Sequence, residues 1–239
     1  MQALETRHLA ELTFQEVSRS LRALSSTYVE RRRQIAQGAA LSGTGKRAAF
    51  ALYYGPLHYL LVREIVRALP GAMAPPSTLV DLGCGTGASG AAWAGACGTA
   101  PRIVGIDRHL WTLQEAAHTY REFGLTAHTR REDIAGARLP KSPAALLAAF
   151  TVNELADSAR DALLHHLLTR ATGGDRVLIV EPLSRLVAPW WNGWRAACLA
   201  AGGRADEWRF PVDLPPIVAK LDRATSLNHR ELTGRSLWL

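Results

Sequence analysis

An acid followed by glycines at every second position stands at Asp81-Leu82-Gly83-Cys84-Gly85-Thr86-Gly87, straight after the apolar pair Leu79-Val80. Glycine lacks a Cβ, so a loop of this kind lets another molecule approach bare backbone. At the carboxyl end of a parallel strand, that molecule is expected to be a nucleotide-bearing cofactor. Gly85-Thr86-Gly87-Ala88-Ser89-Gly90 also fits the dinucleotide fingerprint GxGxxG, so the glycines alone leave two cofactor types open. Asp81 separates them. A carboxylate at the strand end would repel a pyrophosphate, whereas it suits an amino acid ammonium beside a sulfonium. The pattern therefore points to S-adenosylmethionine.

Two further acids fall where such a cofactor needs them. Asp107 closes the run Ile103-Val104-Gly105-Ile106, twenty-odd residues beyond the glycines, where a carboxylate can accept both ribose hydroxyls. Glu132-Asp133-Ile134 follows the next predicted strand. Asp133 is the favoured partner for an adenine amino group there, with Ile134 packing on the ring. Arg108, beside Asp107, and Phe150, at the end of the fourth strand, complete the predicted cofactor set.

Displacement at a sulfonium methyl needs alignment and exclusion of water, and a base only where the nucleophile must lose a proton early. The loop after the fourth strand is the place for such groups. Asn153 is expected to accept a hydrogen bond from a substrate, and Glu154 to take its proton or balance its charge. Tyr54 and His58, one helical turn apart in Tyr53-Tyr54-Gly55-Pro56-Leu57-His58-Tyr59, could face the same pocket. The competing readings are a helix-start carboxylate for Glu154 and interhelical core for the aromatics.

The elements that position these residues follow from periodicity. Residues 1 to about 70 read as helical. Thr13 and Glu16 have capping-box spacing, and Phe14, Val17, Leu21, Leu24 and Tyr28 form one apolar face. From Pro75-Pro76 onward, predicted strands (Thr78–Leu82, Arg102–Ile106, Leu125–Thr129, Ala145–Phe150, Arg176–Val180) alternate with helices (Ser89–Ala96, Leu110–Phe123, Ser158–Arg170). That rhythm implies an α/β fold, a parallel sheet covered on both faces. A tryptophan-rich helix over Pro189–Ala201 and an antiparallel pair near Trp208–Val212 and Ser236–Leu239 finish the chain. The division expected is residues 1–74 as a helical cap or substrate region and 75–239 as a Rossmann-like domain.

Composition narrows the class. The 239 residues are 48% hydrophobic and 21% charged, enough for a sizeable core. The cysteines Cys84, Cys97 and Cys198 lack metal or disulfide spacing. No apolar run has membrane length, and Met1–His8 lacks the order of a secretory signal, so a cytoplasmic location is expected. The net charge of +7 and pI of about 9.8 suit an anionic partner or a solvated arginine-rich surface. For RNA, Arg31, Arg32, Arg33, Lys46, Arg47, Arg130 and Arg131 would supply phosphate contacts, and Trp190, Trp191 and Trp194 either stacking surfaces or core.

From Pro76 to Pro182 the chain resembles the class I S-adenosylmethionine-dependent methyltransferases, most specifically in Asp81-x-Gly83-x-Gly85-x-Gly87. The resemblance implies a seven-stranded, mostly parallel Rossmann-like sheet with a late reversed strand. It also implies cofactor roles for Asp81, Gly83, Gly85, Gly87, Asp107 and Asp133. A narrower similarity, carried by Phe150-Thr151-Val152-Asn153-Glu154-Leu155, by Asp157–Asp161 and by Val177-Leu178-Ile179-Val180-Glu181-Pro182, is to the methyltransferase-like family of mitochondrial small-ribosomal-subunit assembly and its bacterial relatives. The chain departs from that family at Leu183-Ser184-Arg185, and lacks its extra cysteines. Because the cap is compact and no RNA-binding module is recognisable, methyl transfer to an N or O atom of a small molecule under the cap is expected. An rRNA- or ribosome-directed methyltransferase and a non-catalytic assembly factor are the alternatives, while a nicotinamide-dependent oxidoreductase is disfavoured by Asp81.

Overall fold

The computed structural model describes residues 1–30, 41–184 and 188–239, with side chains of 26–30 left aside. Arg31–Arg33 of the expected RNA patch lie outside the described residues. The chain divides into two compact units: residues 1–58 with 211–232, and residues 59–210 with 233–239.

The first unit is helical. Helices α1 (Gln2–His8) and α2 (Phe14–Glu30) precede α3 (Thr44–Ala49), which runs through a π-helical turn (Phe50–Tyr54) into α4 (Gly55–Ala68), whose residues from Tyr59 onward belong to the second unit. The capping box forms as expected: the Glu16 amide donates to Thr13 Oγ1 at 3.3 Å, and the Thr13 amide donates to Glu16 Oε2 at 2.8 Å. Val17, Leu21 and Leu24 are fully buried, as their spacing requires. Helix α3 crosses α2 so closely that a Cβ on Gly45 would sit 2.4 Å from Ser20 Oγ. Helix α9 (Pro216–Ala224) belongs to this unit and buries Ile217, Val218 and Leu221.

The second unit is built on a seven-stranded sheet of order β3-β2-β1-β4-β5-β7-β6. Its strands are β1 (Thr78–Leu82), β2 (Arg102–Asp107), β3 (Ala127–Arg131), β4 (Ala145–Ala149), β5 (Arg176–Glu181), β6 (Arg204–Pro211) and β7 (Glu231–Trp238). Strands β1 to β5 are parallel, and β7 runs antiparallel to β5, pairing Glu181 with Arg235. Central strands β1 and β4 are buried throughout, because helices cover both faces. On one face, Val80, Val104, Leu146 and Ile179 pack with Leu163 and Leu167 of α7 (Asp157–Thr172) and with Trp191 and Trp194 of α8 (Trp191–Ala200). On the other lie α5 (Ala88–Ala96) and α6 (Leu110–Glu122), anchored by Trp93 Nε1, which donates to Ala72 O at 2.8 Å.

Three differences from expectation have local causes. Strand β3 begins two residues later than predicted, because the Leu125 amide closes helix α6 by donating to Tyr120 O at 2.9 Å. The late strands are longer than expected, and β7 sits inside the sheet beside β5. The two late strands are separated by 212–230, and this insertion folds with the helical unit. Among the described residues, no helix is long and apolar enough to cross a membrane.

Candidate functional site

The glycine loop leaves β1 and is pinned at its start: the amides of Gly83 and Cys84 both donate to Ile106 O, at 2.8 and 3.0 Å. Gly83, Gly85 and Gly87 all adopt positive φ, of 70°, 52° and 78°. Space restricts them as well as strain. A Cβ on Gly83 would lie 2.0 Å from Thr151 Oγ1, and one on Gly87 would lie 2.9 Å from Ala116 Cα. The loop can hold this path only as glycine, with its backbone open to a ligand.

Asp81 departs from the role expected of it. It is 1% exposed, and its Oδ2 accepts from the Gly90 amide at 3.0 Å and from Tyr120 Oη at 3.1 Å. Burial pushes the carboxyl up to about 7, despite those two hydrogen bonds. Asp81 therefore ties α5 and α6 to β1 beneath the loop instead of presenting its charge to a ligand. No Cβ fits on Gly90 either, since it would lie 2.5 Å from Asp81 Oδ2.

Asp107 stands as predicted at the end of β2, half-buried. Its Oδ2 accepts from the Gly85 amide at 3.1 Å and its Oδ1 from the His109 amide at 2.9 Å. Each carboxylate oxygen accommodates about two hydrogen bonds, so both keep capacity for a diol. One carboxylate thus fixes the loop, starts α6 and still faces outward. Arg108 follows it, and its guanidinium lies 3.8 Å from Glu154 Oε2.

In the turn after β3, Glu132 is taken up by Arg130 at 2.6 Å and by the Arg138 amide. Asp133 is exposed and accepts only the Ala135 amide, at 3.0 Å, leaving it the available acid. Ile134 is buried in the core beside it.

Strand β4 is followed by Phe150, a non-glycine residue with φ 58°, whose amide donates to Val180 O at 2.8 Å. Such a conformation costs a residue with a Cβ about 1–2 kcal/mol and is held by its surroundings. It turns the chain into the short 3₁₀ turn Val152–Glu154. Asn153 is committed within this turn, contrary to the substrate role expected. Its Nδ2 donates to Glu181 Oε2, while its Oδ1 accepts Trp190 Nε1 at 3.0 Å. An indole N–H can only donate, so the amide orientation follows from its partners.

Glu181, to which the sequence reading assigned no role, is the partner that holds Asn153. It is fully buried, and it receives the Val152 amide at 3.1 Å as well as Asn153. Burial raises its carboxyl to about 8, against the pull of the Val152 amide and the Arg235 guanidinium. Glu181 holds the turn that carries Glu154. The signal was present, because Glu181 ends an apolar strand as Asp81 and Asp107 do.

Glu154 itself is 35% exposed at the side chain. Burial pushes its carboxyl upward to about 7 and Asp107 adds to this, while Arg108 opposes it. Solvent screening at that exposure trims the shift, and its upward direction follows from the apolar turn and the nearby acid.

Tyr54 and His58 belong to the helical unit. Their rings lie 6.2 Å apart, and Phe50 adjoins both, at 5.9 and 6.2 Å. Burial raises the Tyr54 phenol and lowers the His58 imidazole to about 3, so His58 is neutral. Trp191 and Trp194 are 5% and 2% exposed, which makes them core and not stacking surfaces. Burial also pushes the Cys84 thiol well up, leaving it an inert filler beneath the loop.

The segment from β1 to the end of α7, residues 79–172, matches the family model described as a methyltransferase domain. No curated protein matches the sequence. Among solved structures, the chain is similar to mitomycin 7-O-methyltransferase, with 15% identity over 99% of this chain and 70% of that one, at a TM-score of 0.57. It is also similar to a putative O-methyltransferase from Nostoc punctiforme, with 14% identity over 91% and 72% and a TM-score of 0.56. A third similar structure is magnesium protoporphyrin IX methyltransferase from Synechocystis with bound S-adenosylhomocysteine, at 13% identity over 91% and 99% and a TM-score of 0.50. At such identities these structures establish the fold.

Family model, sheet order and loop together make this domain one of the class I S-adenosylmethionine-dependent methyltransferases. Its cofactor is S-adenosylmethionine. The residues fit that group: a loop of positive-φ glycines that carries no side chains, a carboxylate with spare acceptor capacity at Asp107, and an available acid with an apolar neighbour at Asp133 and Ile134.

Proposed function

We propose that this protein methylates an N or O atom of a small molecule, with Glu154 taking the proton that the acceptor releases. The observation that carries this reading is the position of Glu154. It lies within ion-pair distance of Arg108, the residue after Asp107, on a turn fixed by Glu181, with its carboxyl raised toward neutral pH. A carboxyl of that kind can accept a proton near pH 7 and still be mostly ionised just above it.

When bound, S-adenosylmethionine supplies a methyl group on a sulfonium. The backbone of Gly83, Gly85 and Gly87 receives it, Asp107 accepts the ribose hydroxyls, and Asp133 accepts the adenine amino group beside Ile134. Phe150 turns the chain so that Glu154 follows, and Arg108 restrains Glu154 without closing off its carboxylate. Asn153 acts through Glu181 as a positioning residue.

A small acceptor is favoured over RNA by the arginines themselves. Arg130 is neutralised by Glu132, and Arg131 Nε donates to Arg108 O at 3.1 Å, so neither extends freely toward phosphates.

The test is a labelled-methyl assay on cell extract, separated into RNA, protein and small-molecule pools. Label in the small-molecule pool, lost in Glu154→Gln, is expected. Label in the RNA pool would overturn the acceptor class. Cofactor binding without label in any pool would overturn catalysis.

A further inference from the structure

The helical unit contains a cavity of its own, about 490 Å³, lined by Asp213, Asp222, Arg223, Asn228, His229 and Arg230 among others. It is formed after α9. Ser226 and Asn228 take positive φ, 59° and 51°, reversing the chain, and the Val212 amide closes the base by donating to Arg230 O at 3.3 Å. The volume lies within the range of about 300–1,000 Å³ typical of small-molecule sites.

Its floor is a buried polar cluster. Asp222 is 3% exposed and accepts from Tyr53 Oη at 2.5 Å, from His229 Nδ1 at 2.6 Å and from the His229 amide at 2.8 Å. Burial alone would raise the Asp222 carboxyl, but the hydrogen bonds from Tyr53 and His229 outweigh it and hold the carboxyl down. Asp222 thus fixes the imidazole through Nδ1. Nε2 of His229 has no partner among the described residues. Neither do the guanidinium groups of Arg223 and Arg230.

We propose that this cavity binds a small oxyanion-bearing molecule, a carboxylate or a phosphate ester. Arg223 and Arg230 grip the anion, beside the His229 ring that Asp222 holds through Nδ1. The groups around His229 are Asp222, Tyr53, Arg223, Arg230 and Asp213. The charge of Asp222 is already used by its three donors, so the two arginines outweigh Asp213. This site is independent of the methyl-transfer reading.

The experiment titrates the full chain with inorganic phosphate, with succinate and with a uridine octanucleotide, following the His229 side-chain nitrogens by NMR. Phosphate or succinate is expected to shift Nε2 saturably, and which of the two binds distinguishes the ester from the carboxylate. In Arg223→Ala/Arg230→Ala the affinity should fall about tenfold or more, with unfolding unchanged because both side chains are exposed and unpaired. The proposal is overturned by no saturable shift with either anion, by an affinity the double variant leaves intact, or by saturation with the octanucleotide alone.

Discussion

Replacing Gly83 by alanine isolates what the glycine loop requires. Two costs are separable. A φ of 70° places alanine in the left-handed region, which costs about 1–2 kcal/mol. The new Cβ would also lie 2.0 Å from Oγ1 and 2.7 Å from Cβ of Thr151, a buried side chain with no room to retreat. Forced overpacking of this kind costs about 1–3 kcal/mol. Gly83→Ala should therefore lose about 2–5 kcal/mol in urea unfolding. The clash can be removed and the strain kept. Thr151→Gly deletes the opposing side chain, so the double variant should recover the steric part and show a coupling of about 1–3 kcal/mol in a double-mutant cycle. Thr151→Ala should recover less, because its Cβ remains. Calorimetry with S-adenosylhomocysteine should show at least about tenfold weaker binding in Gly83→Ala, since the loop must shift to fold at all. Additive single variants, with coupling under about 0.5 kcal/mol, would refute the steric argument. Wild-type cofactor affinity would refute the claim that this backbone path is the cradle.

The remaining predictions concern the carboxyl groups. Asp107→Ala removes an acceptor for the ribose and both backbone anchors, so cofactor affinity measured by calorimetry should fall about tenfold or more, and an unchanged affinity would count against the assignment. Glu154 must be ionised to accept a proton, so the rate should rise as pH increases through about 7, and Glu154→Gln should lower kcat and abolish that limb in a pH–rate profile. Glu181 has the opposite consequence for stability. Its folded-state value of about 8 exceeds that of an unfolded glutamate, so the folded state holds the proton more tightly and stability falls as pH rises between about 4 and 8. Asp81, raised to about 7, acts with the same sign. Urea midpoints at pH 5 and pH 8.5 should therefore differ more in the wild type than in Glu181→Gln, and parallel profiles would exclude the linkage.

Much of the fold was legible where burial and local chemistry agree. Strands β1, β2, β4 and β5 are apolar runs because helices cover both faces of the sheet, and β1 begins and ends where its sequence pattern does. The Thr13–Glu16 box was readable because both partners lie within one turn. Edge strand β3 was misplaced by two residues, since partial exposure removes the apolar signal and Leu125 serves the helix before it. Helix α9 was missed within the proline-rich stretch Leu214-Pro215-Pro216, although Ile217, Val218 and Leu221 mark its buried side.

By itself the sequence pointed to the cofactor through short spacings along parallel strands that join the glycines, Asp81, Asp107 and Asp133, although the charge of Asp81 on which that reading turned is buried. The direction in which each polar group points was decided by the tertiary structure. Asp81 turns inward because Gly90 and Tyr120 offer it donors there, and Asn153 is taken by Glu181 and Trp190, 28 and 37 positions away. Tyr53 and Asp222 meet across 169 positions to fix His229, a contact that no spacing in the chain announces. A buried donor or acceptor must find a partner wherever the fold brings one, and that search is settled by packing and not by proximity in sequence.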